Sequence, residues 1–300
     1  MKKNSILSIL VLFITAVIWG FAFPFQRIAS DYLSAFWFGG IRFMVGALSL
    51  IPVVLIFERE KLSKKQWKKL LLSGAICGFI LFAASALQQI GINLTGSSAK
   101  SAFITGLYMI FVPFCGIFMH KKIRAEAWMG AAAAVVGLYF VCFANGAEGM
   151  QKGDLVVLLG ALFWTAHILC IDTLASDCPS LKFSLLQFVF CGIFNLIAAP
   201  FFDGALVLSP EVFTHALIPI LYCGIFSVGV AYTCQVIGQR GTEPELASII
   251  LCTESIFAAI GEPIIDKKAS PLSLVGYMGC ALIFVGILLS QTRIFGRKKI

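Results

Sequence analysis

Arg42 and Glu254 are charged residues set in stretches that otherwise read as lipid-facing. Arg42 stands in "FWFGGIRFMVGALSL" and Glu254 in "ILCTESIFAAIGEP". A charge at the bilayer centre costs about 2.5–3.5 kcal/mol on insertion scales, so such groups face a cavity or a partner. A guanidinium at that depth can hold a solute carboxylate or phosphate through its fork of donors. It can equally close an internal salt bridge that only holds helices together. For Glu254 three roles are open: binding a solute amine, loading and releasing a proton, or acting as a gate or packing residue. The two charges are each other's first candidate partner.

Uncharged polar and aromatic residues form a second tier. Trp19 and Trp164 suit a cavity wall or plain packing. His167, three residues past Trp164, suits a proton relay or a satisfied helix–helix hydrogen bond. Gln89 and Gln235, with Tyr232 one turn from Gln235, suit a polar cavity lining or interhelical hydrogen bonds. Lys100 lies near a span end, where a lysine can snorkel to the interface.

The elements that must carry these residues follow from composition. The chain has 300 residues, 59% hydrophobic and 13% charged, with a mean hydropathy of +0.94. Soluble domains run near 45–50% apolar and about 25% charged, so a water-soluble fold is excluded. Apolar runs between charged or turn-rich breaks predict ten spans: 5–28, 33–57, 68–92, 97–119, 124–144, 153–174, 180–201, 212–238, 244–264 and 271–290. Helices are required, because lipid satisfies no open backbone groups and the runs are too long for barrel strands. The start, Lys2-Lys3 and an apolar run, has no small-residue cleavage site and reads as a retained span. In this register Arg42 and Glu254 both fall about 13–15 Å into their spans, near the midplane.

Lys and Arg set the orientation. With the N-terminus inside, only Arg27, Lys100, Lys152, Lys267 and Lys268 fall in outer segments, and Arg42 lies within a span; the other Lys and Arg are all inside. This bias predicts both termini in the cytoplasm, in a plasma (inner) membrane. It also explains the net charge of +8 without a nucleic-acid partner.

The halves repeat. A shift of 145 aligns Ala16 with Ala161, Trp19 with Trp164 and Phe38 with Phe183, and sets Gln187 in the place of Arg42. A shift of 146 pairs Gln89 with Gln235 and Ile104 with Ile250, while Gly130 and Gly137 match Gly279 and Gly286. Five spans per repeat, an odd number, would invert the second repeat, an arrangement typical of secondary transporters. The expected fold is thus an all-α integral membrane protein of ten transmembrane helices, with repeats over 1–145 and 153–290 and a basic cytoplasmic tail over 291–300.

Motifs in order along the chain carry a family likeness: "AVIWGFAFPFQRIA", "FWFGGIRF", "LTGSSAKSAFITGLYMIFVPFCGIFM", "WMGAAAAVVGLYF", "TESIFAAIGEP" and "SLVGYMGCALIFVGILL". The chain resembles the EamA-type members of the drug/metabolite transporter superfamily over essentially its whole length. The resemblance implies a ten-helix carrier, commonly an exporter of amino acids, other small metabolites or drugs, with a cavity between the halves. One departure is visible. Many relatives end both the fourth and the ninth span in Gly-Glu; here Gly261-Glu262 is kept but "MHKK" follows the fourth, so no role of a first-half glutamate carries over.

Other chemistries find little support. "GSSAKS" lacks the glycines of a phosphate loop, since Leu94 and Ala99 stand in their places. Asn93-Leu94-Thr95 fits a glycosylation sequon, meaningful only in a eukaryotic secretory setting. Gly74 and Gly78 allow close helix contact. Neither HExxH nor GxSxG occurs, and His120, His167 and His215 have no ligand spacing. The ten cysteines show no CxxC pairing, and Cys77 and its fellows read as small packing residues. The expectation is a secondary transporter that works by alternating access as a monomer, with no metal or cofactor. Its partners are a small solute, the lipid bilayer and protons as a candidate coupling ion. The alternatives are an intramembrane enzyme or a channel-like facilitator.

Overall fold

The computed structural model describes residues 6–118, 125–143, 151–266 and 273–291. The Lys2-Lys3 start, most of "HKKIRA" and the tail beyond residue 291 lie outside them. Every regular element among the described residues is helical. In chain order these are α1 (Ile6–Ala29), α2 (Ala35–Phe57), α3 (Lys64–Thr95), α4 (Ser98–Gly106), α5 (Tyr108–Phe118), α6 (Ala125–Phe143), α7 (Lys152–Leu174) and α8 (Ser180–Phe202). There follow α9 (Leu217–Leu221), α10 (Thr233–Gln239), α11 (Pro244–Leu251), α12 (Glu254–Ile265) and α13 (Leu274–Gln291). Wider π turns at Val212–Ala216 and Tyr222–Tyr232 flank α9. Eight of the resulting rods are long and apolar enough to cross a membrane. α6 and α13 hold the expected fifth and tenth spans, but their apolar runs, Trp128–Gly137 and Leu274–Gly286, are shorter.

The residue pattern is turned inside out relative to a soluble domain. Leu55, Leu72, Ile197, Phe202 and Ile218 present their side chains outward, while Gln26, Arg42, Gln89, Thr105, Gln187 and Gln235 are buried. Hydrocarbon solvates the first set as well as a protein core would, so the polar groups must find partners inside.

Local chemistry sets the helix ends. Ser63 opens α3 with a reciprocal capping box: its Oγ accepts from Gln66 N–H at 3.3 Å, and Gln66 Oε1 accepts from Ser63 N–H at 2.8 Å. Gly96 closes the same helix at φ +67°, a left-handed conformation that costs glycine nothing and other residues a Cβ clash.

Two rods are interrupted, and at matched places. α4 stops at Gly106 and α5 starts at Tyr108; α11 stops at Leu251 and α12 starts at Glu254. Tyr108 and Glu254 stand 146 residues apart, the shift that pairs Ile104 with Ile250. At the second break, side chains take up carbonyls of the interrupted ladder: Thr253 Oγ1 donates to Ile250 O and Ser255 Oγ to Cys252 O, both at 2.7 Å. That back-bonding lets a helix break inside an apolar environment.

Packing between the halves is reciprocal. Glu58, just past α2, accepts from the N–H groups of Leu181 and Lys182 at the start of α8, both at 2.9 Å. Asp203, just past α8, accepts from Phe36 and Trp37 at the start of α2, at 2.8 and 3.1 Å. The acceptors are 145 residues apart, and so are the donor pairs. The pattern makes α2 and α8 antiparallel neighbours that cap one another, each with an acid at a helix N-terminus where the dipole favours it. α6 and α13 cross as tightly: a Cβ on Gly137 would meet Gly279 O, and one on Gly286 would meet Gly130 O.

Polar ties gather at the two ends. At one end Lys69 pairs with Asp177 at 2.7 Å, and Arg240 donates to the carbonyls of Ala175 and Cys178. The hydrogen bond and charge of Lys69 hold the Asp177 carboxyl below its ordinary pKa. At the other end Arg27 pairs with Asp31 at 2.6 Å and donates to Gly96 O. There Glu262 Oε1 also accepts from Ser98 N–H at 2.8 Å and from Ser98 Oγ at 2.7 Å, tying α12 to the start of α4.

Candidate functional site

The interrupted helices lead to a cavity lined by residues of both halves of the chain. Six of the ten residues singled out in the sequence line it: Trp19 from α1, Arg42 from α2, Trp164 from α7, Tyr232 from the second π segment, Gln235 from α10 and Glu254 from α12. Both halves of the chain therefore supply the wall.

Arg42 is 3% exposed and donates from Nη1 to Gln26 Oε1 on α1 at 2.7 Å. Its guanidinium lies 5.2 Å from the rings of both Phe38 and Phe43, a contact that stabilises a cation out of water. Arg42 Nε–H has no hydrogen-bond partner. Glu254, also 3% exposed, accepts from Tyr108 Oη at 3.1 Å. Arg42 and Glu254, each other's candidate partner, do not pair: Gln26 takes the guanidinium and Tyr108 the carboxyl group, and the ion pairs among the described residues are Arg27–Asp31, Lys69–Asp177 and Lys100–Asp154. Arg42 and Glu254 share one cavity with no ion pair between them.

Three aromatic rings form an apolar side. Trp19 and Tyr232 have centroids 4.6 Å apart, Trp164 and Tyr232 stack at 6.0 Å, and Trp19 and Trp164 lie at 6.4 Å. Trp19 Nε1–H donates to Ser227 O at 3.2 Å, whereas Trp164 Nε1–H has no partner.

Four of the singled-out residues lie away from the lining. Gln89 donates to Gln26 O at 3.2 Å and to Asn93 Oδ1 at 3.0 Å, so it supports the Arg42 partner from behind. His167 and Gln187 are fully buried and meet each other, Nε2 to Oε1, at 3.1 Å; Gln187 Oε1 also accepts from Cys77 Sγ at 3.3 Å. Lys100 does not snorkel freely. It binds Asp154 on α7 at 2.8 Å.

Sequence reasoning passed over Gln26, Gln88, Thr105, Tyr108 and Ser227, all in the lining. Gln88 Nε2 donates to Thr105 Oγ1 at 3.2 Å, joining α3 to α4. The signal for Tyr108 was available, since the shift of 146 carries Glu254 onto it. Gln26 gave a weaker sign, a polar residue just past Pro24 in an apolar helix.

Comparison with known proteins decides the family. The model of the EamA-like transporter family matches residues 6–143 and residues 151–292. The chain belongs to the EamA-like transporter family. Among similar proteins, an uncharacterized transporter of Archaeoglobus fulgidus is 27% identical over 286 residues, covering 94% of this chain and 84% of the relative. The uncharacterized inner membrane transporter YedA of Escherichia coli K12 is 19% identical over 83% of this chain and 79% of its own. A solved crystal structure matches with a TM-score of 0.75 at 16% identity, covering 97% of both chains, which shows a shared fold. This EamA-like chain is thus an all-helical, multi-pass integral membrane protein of a transporter family, and that membership points to transport, not catalysis.

Proposed function

We propose that the chain is a secondary transporter, an exporter of a small amino-acid-like metabolite or drug that works by alternating access. The observation that carries this reading is the central cavity: both halves line it, and both interrupted helices break at its wall. Carrier folds place solute sites at such breaks, where irregular backbone lines a cavity instead of lipid. The reciprocal caps of Glu58 and Asp203 and the Tyr108–Glu254 contact between equivalent positions support ten spans in two inverted repeats, over 1–145 and 153–290. The Lys and Arg bias supports cytoplasmic termini, with Glu58, Asp177 and Arg240 at the inner end and Arg27, Ser98, Asp203 and Glu262 at the outer.

In this mechanism the halves rock about the cavity. The Glu262–Ser98 tie closes the outer end and breaks when that end opens. Arg42 anchors an anionic group of the solute, Glu254 faces its cationic group or carries a proton, and the three rings cover an apolar part. A solute or proton gradient drives the cycle, and a single chain completes it.

Counterflow in proteoliposomes tests this. Labelled amino acids and related metabolites should accumulate saturably against an unlabelled internal pool, and Arg42→Ala and Glu254→Gln should each cut the rate more than tenfold at equal protein levels. Unsaturable flux would make the protein a channel. Wild-type rates in both variants would remove the two charges from the mechanism.

A further inference from the structure

The two halves do not present equal walls to the cavity. Equivalent residues make different commitments. Trp19 spends its indole N–H on Ser227 O, but its counterpart Trp164 lines the cavity with Nε1–H unpartnered. Gln89 stands behind the wall, its amide N–H groups bound to Gln26 O and Asn93 Oδ1 and its Oε1 unpartnered but away from the cavity lining. Its counterpart Gln235 lines the cavity, and its Oε1 has no partner. Trp164 is 6% exposed and Gln235 1%. An unmet donor and an unmet acceptor at that burial are costly, and native structures keep few of them without a partner.

The pair sits on one side of the cavity. Gln235 is one helical turn beyond Tyr232, and the Tyr232 ring stacks on that of Trp164 at 6.0 Å. Behind them His167 and Gln187 hold each other at 3.1 Å. Arg42 and Glu254 line the same cavity from other helices, Arg42 held by Gln26 and Glu254 at the α12 start by Tyr108.

We infer that Trp164 Nε1–H and Gln235 Oε1 form a subsite for a neutral group that both accepts and donates a hydrogen bond, a carboxamide or a hydroxyl on the solute. This rests on the transporter reading and makes it more specific. The aromatic lining alone would favour a purely apolar side chain. Two buried, unmet hydrogen-bonding atoms reverse that preference, because an apolar group seated on them leaves both unsatisfied. Trp164 and Gln235 recognise the solute side chain, and Arg42 with Glu254 recognises its head.

Isosteric probes separate the outcomes. Binding of L-asparagine against L-leucine, and of L-threonine against L-valine, is measured by calorimetry on the detergent-purified chain. The polar member of each pair should bind at least tenfold tighter. Trp164→Phe and Gln235→Leu should each reduce that ratio to near one by weakening the polar member. Glu58→Ala, at the α8 cap outside the cavity lining, should lower the melting temperature and leave the ratio intact. Equal or tighter binding of the apolar members, a ratio that survives both substitutions, or no binding of any probe by protein with an intact melting transition overturns the subsite. Counterflow of the same four probes distinguishes the two readings. Selective binding without exchange sinks transport and keeps the subsite, and exchange without selectivity does the reverse.

Discussion

At the scale of single residues, the cavity separates two charges that depth alone would have joined. Arg42 and Glu254 each have a neutral partner, Gln26 and Tyr108. A neutral partner steadies each group without pairing it to an opposite charge, so both stay available to a solute. Arg42 in particular uses Nη1 on Gln26 and leaves Nε–H unmatched. A lysine would keep the charge and lose the planar fork. Arg42→Lys should therefore raise the counterflow KM about tenfold, and an unchanged KM would show that only the charge matters. On the opposite wall, Tyr108→Phe removes the hydroxyl that donates to Glu254. Exchange should slow by about tenfold with little change in melting temperature, whereas a large melting shift with normal exchange would make the contact purely structural.

At the scale of helices, the chain solves one problem twice. α2 and α8 each start with N–H groups that lipid and bulk water compete poorly to satisfy, and each receives the carboxylate that ends the other. Glu58→Ala and Asp203→Ala should each cost about 1 kcal/mol in reversible detergent denaturation. The acids lie at opposite ends of the helix pair, so the double variant should lose the sum within about 0.5 kcal/mol. Strong non-additivity would mean that the caps act as a unit through a rigid α2–α8 pair. The same antiparallel logic operates at α6 and α13, where glycine replaces a side chain so that backbones can touch.

At the scale of the whole molecule, the loops sort into two ends. Residues near 58–69, 175–182 and 240 hold one another, and residues near 27–36, 96–100, 203 and 262 do the same at the other end. Reporter fusions check which end is cytoplasmic. A reporter active only inside the cell should work after residue 300 and after Arg240, and fail after Gly204; activity after Gly204 would invert the assignment. The membrane class was legible in the sequence alone. The reason is that lipid forces backbone hydrogen bonds to close within each rod, so apolar run length marks the helices. The matched shifts of 145 and 146 were legible too, and they carry Glu254 onto Tyr108. Helix azimuth and helix neighbours were not legible, because a hydrophobic segment tolerates lipid and protein on any face and its periodicity fades. Tertiary packing alone decided that Gln26 would take Arg42, that Asp154 would draw Lys100 out of the lining, and that His167 would be closed off by Gln187. It also decided that Trp164 would keep its N–H for the cavity while its counterpart spent the same group on a backbone carbonyl.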